Sequence, residues 1–121
     1  MREILFKGMR VTTGEWELGN LHVHLSGMTD IIPTESGCTF IEVDPATVGQ
    51  YTGLRDKNGT KIFEGDTWLI DIDDGLPTEG YIEHHCGTFM LVDKDDTELM
   101  EPIGGHVTTI VITGNIFEVK P

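Results

Sequence analysis

His22 and His24 are the residues whose types and spacing come closest to a chemical site. Residues two apart on a strand leave the same face, so the pair could offer two imidazoles to one metal ion. A third and a fourth ligand would have to come from His84, His85, Cys86, His106 or Cys38, and nothing in the spacing makes these converge. Cys86, beside His84 and His85, is the one thiol with a base nearby. Strand alternation makes His84, two residues away, a better partner for it than His85. Histidines beside acidic residues are common on surfaces without metal, so the sequence assigns no catalytic, cofactor-binding or metal-ligating residue and no cofactor.

The other chemistries fail on spacing. An EF-hand loop begun at Asp93 puts Glu98 where the turn needs glycine and Gly104 where a bidentate glutamate belongs. Begun at Asp71, it puts Leu76 and Ile82 in those positions, so the acidic runs read as solvated loops. Ser26 and Ser36 are the only serines, and neither lies in a Gly-x-Ser-x-Gly setting. No glycine loop followed by Lys-Ser/Thr is present to cradle a phosphate, and the glycine-spaced fragment Gly49–Gly53 does not replace one.

The elements that would position such groups are short strands, centred on the stretch 48–66. Asn58-Gly59, between Tyr51/Leu54 and Ile62/Phe63, predicts a tight hairpin, because both residues tolerate positive φ. Gly49, Gly53 and Gly65 then imply bulges, left-handed positions or close backbone approach, and Glu64-Gly65-Asp66 reads as a corner into a strand at Thr67–Ile72. Before the hairpin the pattern predicts Glu3–Phe6, a Lys7-Gly8 corner, Met9–Thr12, a Thr13-Gly14 turn and Glu15–Leu25. Within that last run the apolar phase slips near Gly19, which suggests a bulge. Ser26–Gly37 reads as a flexible loop in which Pro33 interrupts a short Ile31-Ile32 strand. Thr39–Val43 resumes as a strand, and Asp44-Pro45 predicts a single helical turn. After the hairpin come an Asp73-Asp74-Gly75 turn and a Thr78–Cys86/Thr88–Asp93 hairpin around Cys86-Gly87. An acidic loop Asp93–Gly105 follows, then strands His106–Thr113 and Asn115–Val119 kinked at Gly114-Asn115. No longer helix is expected.

Val48-Gly49-Gln50-Tyr51-Thr52-Gly53-Leu54, Asp56-Lys57-Asn58-Gly59, Ile62-Phe63-Glu64-Gly65-Asp66 and Thr113-Gly114-Asn115-Ile116-Phe117-Glu118 resemble the signature of the YopX-like family of phage and prophage proteins. The opening, Arg2-Glu3-Ile4-Leu5-Phe6-Lys7-Gly8 with Gly14-Glu15-Trp16, is similar to that family's usual beginning. The resemblance implies an all-β protein with a C-terminal small SH3-like barrel, encoded by a phage or an integrated element, and carries no activity onto any residue. Together these readings give an N-terminal β segment, 1–47, packed against a barrel, 48–121, as one compact unit.

The 121 residues suffice for a self-supporting core. No run is long enough to span a membrane, and the first eight residues lack a signal peptide's apolar core, so a cytoplasmic protein with no membrane contact is expected. Cys38 and Cys86 would then remain thiols. Net charge is −13, unevenly spread: residues 1–61 hold six Lys/Arg and eight Asp/Glu, against two and thirteen in residues 62–121, giving −2 and −11. Such a C-terminal half should repel nucleic-acid backbones, which weighs heavily against direct nucleic-acid binding by that half, and none is expected. The expected function is non-enzymatic, an accessory or interaction protein acting on a host or phage protein through a strand edge or an aromatic groove. Its second form is an acidic, DNA-mimicking inhibitor of a host nucleic-acid-binding protein. A metal-dependent enzyme centred on His22, His24, His84 and Cys86 stands third. Open strand edges also allow a homo-oligomer.

Overall fold

The computed structural model describes residues 4–33, 39–70, 78–85 and 87–118, in which every regular element is a strand or a single turn of 3₁₀ helix. The protein is all-β, with antiparallel sheets. By contacts it divides into two compact units, Met1–Tyr51 and Thr52–Pro121.

In the first unit, β1 (Phe6–Met9), β2 (Trp16–Val23), β3 (Thr29–Pro33), β4 (Ile41–Val43) and the start of β5 (Gly49–Arg55) lie in the order β4-β3-β2-β1-β5. The expected Asp44-Pro45 turn is present as a 3₁₀ turn, Pro45–Thr47, and the Asp44 side chain accepts from the Ala46 N–H at 3.0 Å. Thr47 fastens this turn to β1: its buried hydroxyl accepts from the Met9 N–H at 2.9 Å and donates to the Asp44 carbonyl at 2.6 Å.

Three expectations for this unit need correction. Lys7 and Gly8 lie inside β1 rather than at a corner. Gly19 is not a bulge, since it pairs regularly with Phe6 on one side and Pro33 on the other. The slip in apolar phase has another cause: residues 16–19 of β2 pair with β1 and residues 19–23 pair with β3, so the strand changes partners at Gly19. A Cβ there would stand 2.1 Å from the Ile32 carbonyl oxygen, which only glycine avoids. Finally, Thr29–Pro33 is a paired strand with Ile31 fully buried, because Ile31 and Val43 face the core while Pro33 sits at the strand's end, where a missing N–H is tolerated. Residues 34–38 of the expected loop, Cys38 and Ser36 among them, lie outside the described residues, as does the first part of the expected Glu3–Phe6 strand.

The second unit holds the end of β5 with β6 (Lys61–Phe63), followed by β7 (Asp66–Ile70), β8 (Thr78–His85), β9 (Thr88–Asp93), β10 (Met100–Pro102) and β11 (Val111–Asn115). The last five form an antiparallel sheet, β10-β9-β8-β7-β11. Its core is Ile62, Trp68, Ile82, Leu91, Ile103 and Ile110. The two expected hairpins are present, with Gly59 at φ +85° and Gly87 at φ +82° in their turns. The expected strands His106–Thr113 and Asn115–Val119 reduce to one, Val111–Asn115, because residues 106–109 and 116–118 form turns, and its register with β7 breaks between Ile112 and Gly114. Residues 93–105, read as loop, contain β10 and a 3₁₀ turn, Ile103–Gly105, whose Ile103 is buried in the core. The Asp73-Asp74-Gly75 turn, Ile72, Cys86 and Val119 lie outside the described residues.

Two buried aspartates tie these strands together. Asp56 Oδ1 accepts from the Asn58 and Thr60 N–H groups, both at 2.9 Å, and its Oδ2 accepts from the Ile112 N–H at 2.9 Å. Asp66 is 0% exposed, and its carboxylate accepts from the Phe63 N–H at 2.8 Å and from Asn115 Nδ2 at 3.0 Å. Asp66→Asn would turn an amide N–H₂ toward one of these donors with no water to replace the lost bond. We expect urea denaturation to show a loss of about 1–3 kcal/mol, with a change below about 0.5 kcal/mol contradicting the assignment.

Candidate functional site

The second unit carries a groove of about 340 Å³. Its floor follows from strand alternation: Trp68 and Ile70, two apart on β7, face the same way, and Leu91 of β9 joins them. Trp68 and Leu91 are buried, and the indole N–H donates to the Tyr81 carbonyl at 3.0 Å, which fixes the ring. Leu99 and Met100 form one wall, Leu99 being largely exposed.

The remaining lining is acidic. Asp93, Glu98 and Glu101 stand around the apolar floor, and no lysine or arginine is among the described residues that line it. His106 Nε2 lies 2.6 Å from Glu101 Oε2 and is the one basic group among the described residues of the rim. Asp93 also holds the loop in shape: its Oδ1 accepts from the Asp95 N–H at 2.8 Å and the Asp96 N–H at 3.2 Å. Lys94 is committed elsewhere, in an ion pair with Glu79 whose hydrogen bond and charge raise the lysine pKa above its ordinary value. The groove can therefore hold an apolar side chain and favour positive charge beside it.

The histidines and cysteines of the sequence analysis fall in different places. His84 and His85 end β8 in the second unit, where the His84 ring packs edge-on against Phe89 at 5.0 Å. His106 is at the groove, and Cys38 and Cys86 lie outside the described residues. His22 and His24 do come together, with ring centroids 4.5 Å apart, beside the carboxylate of Asp30. Asp30 was missed because Ser26–Gly37 reads as a loop. The signal available was Gly27, whose φ of +93° closes a turn that places Asp30 directly across from His22. Glu98, Leu99, Met100 and Glu101 were likewise absorbed into an acidic loop, although Leu99-Met100 interrupts the charge run.

A small all-β protein, strongly acidic in its C-terminal half and carrying an acid-rimmed apolar groove, is the class that fold and site define. The chain belongs to the YopX protein family, whose sequence profile matches residues 11–120. The match contains the whole central motif, 48–66, and the terminal 113–118 segment on which the resemblance rests. No curated protein is similar enough to count as a relative. No helix among the described residues is long and apolar enough to cross a membrane.

The rim is separable from the fold. Glu98 and Glu101 are exposed, and a rim contact such as that of Glu101 with the half-buried His106 contributes little. The double substitution Glu98→Gln/Glu101→Gln should shift unfolding stability by less than about 0.5 kcal/mol, measured by urea denaturation.

Proposed function

We propose that this protein is a non-enzymatic, phage- or prophage-encoded interaction protein of the cell interior. In this reading its second unit works as an SH3-like barrel that receives a basic segment of a protein partner in the Trp68 groove. The observation that carries it is the pairing of an apolar floor, Trp68, Ile70 and Leu91, with an acidic rim, Asp93, Glu98 and Glu101. An extended peptide with alternating apolar and Lys/Arg residues satisfies both, the apolar groups leaving water and the cations meeting carboxylates. Direct binding to nucleic acid is disfavoured by the −11 of residues 62–121.

The test uses peptides of alternating Leu and Lys, titrated into protein carrying Trp16→Phe so that fluorescence reports Trp68 alone. We expect saturable binding that weakens roughly tenfold as salt rises from about 50 to about 300 mM, and a comparable loss in Glu98→Gln/Glu101→Gln. Binding indifferent to both, or none at all, would overturn the proposal.

The same −11 favours a second reading, an inhibitor that imitates DNA to occupy a host nucleic-acid-binding protein. Here the protein would displace DNA from its target with steep salt dependence, and neutralising the 93–101 segment would abolish the displacement.

A further inference from the structure

The first unit carries a cluster that the groove does not explain. His22 of β2 lies directly opposite Asp30 of β3 in the ladder, and His24 follows two residues later at the mouth of the hairpin turn. That turn is closed by the His24 N–H bonding the Met28 carbonyl at 2.8 Å and the Gly27 N–H bonding the His24 carbonyl at 2.9 Å. The register puts all three side chains on the face opposite Ile31 and Val43, since cross-strand partners share a face and neighbours alternate.

His22 is exposed and Glu42, the β4 partner of Asp30, is exposed too, yet Asp30 is only 5% exposed. The two imidazoles cover it: His24 Nε2 is 2.5 Å from Asp30 Oδ2, and His22 Nδ1 is 3.9 Å from the same oxygen. One potential ligand atom from each residue falls within 4.8 Å of the others. Ligands at about 2.1 Å from a tetrahedral ion stand about 3.4 Å apart, so the observed separations bracket what coordination needs. His22, the most exposed of the three, is the side chain able to close the difference by a small rotation. Phe40 packs edge-on against its ring at 5.5 Å and supplies an apolar border.

We propose that His22, His24 and Asp30 form a binding site for a single borderline first-row divalent cation such as Zn²⁺. Two imidazoles and one carboxylate suit such ions, whereas Ca²⁺ and Mg²⁺ take oxygen ligands. Three protein ligands leave at least one position for water or a partner's side chain, on the solvent side where His22 is exposed. The ion replaces the His24–Asp30 hydrogen bond with coordination and staples the β2–β3 hairpin across its turn. The ladder from Gly19↔Pro33 to Val23↔Thr29 is the rigid part of the scaffold.

The test is titration of protein purified without a histidine tag with Co²⁺, read by its visible absorption and by calorimetry. We expect one tight equivalent, dissociation below about 100 μM, displaced by Zn²⁺ and untouched by excess Mg²⁺ or Ca²⁺. His22→Gln, on an exposed side chain that folding does not need, should weaken it at least about tenfold, and Asp30→Asn should do the same. Circular dichroism establishes that each variant is folded, and His22→Gln decides the matter if Asp30→Asn is not. His84→Gln and His106→Gln should leave binding unchanged. Absence of a tight equivalent, or one that survives His22→Gln, would reduce the cluster to a His–Asp hydrogen bond and overturn the proposal.

Discussion

The buried carboxylate of Asp66 is the point on which the second unit depends. It stands at the corner Glu64-Gly65-Asp66, where the chain leaves β6 for β7, and it binds the Phe63 N–H behind it and the Asn115 side chain of the last strand. Around that bond the corner closes: Gly65, at φ +89°, donates to the Ile82 carbonyl, and its own carbonyl accepts from the Ile116 N–H. Asn115 is held in turn, its N–H bonding Glu118 and its side-chain oxygen accepting from Phe117. A side chain at Gly65 would meet the Asn115 amide at 3.3 Å with a φ it cannot comfortably adopt. A buried carboxylate is costly unless its hydrogen bonds are made, so the corner and the last strand are held as one feature.

Asp56 repeats the device one turn earlier. By bonding Asn58, Thr60 and Ile112, it shapes the β5–β6 turn and fixes where β11 lies. These two aspartates explain why residues so distant in the chain, Asp56-Lys57-Asn58-Gly59, Glu64-Gly65-Asp66 and Thr113-Gly114-Asn115, stand out together in the sequence. They are the donor and acceptor halves of the same turns, and the turns set the frame on which Trp68 and the groove are carried.

Much of the second unit was legible for that reason. Turns that demand positive φ or an aspartate acceptor leave local marks, and Asn58-Gly59, Gly65 and Gly87 were read correctly from them. The first unit was less legible because its decisive facts are pairings. Whether Thr29–Pro33 is loop or strand depends on Ile31, 0% exposed, pairing with Leu21 and Ile41 across two ladders, and Pro33 masks it locally. Gly19 looked like a bulge because a strand that changes partners midway and a strand that bulges both shift the apolar phase. Only the close approach of the Ile32 carbonyl distinguishes them. The same failure hid Asp30 from the histidine pair.

The two candidate sites rest on opposite uses of acidic residues. At the groove, Glu98 and Glu101 are exposed, and their charge reaches outward over an apolar floor, where water screens it but a cation arriving with a hydrophobic neighbour gains from both terms. At the hairpin, one carboxylate is withdrawn from water and covered by two imidazoles, so its influence is short-ranged and directional. Net charge alone predicts neither. In the proposed function, selection of a partner falls to the apolar surface within reach of the carboxylates. Selection of a cation falls to the nitrogen atoms beside Asp30. The −13 of the whole chain sets the sign of what approaches, and the strand register sets where it can stay.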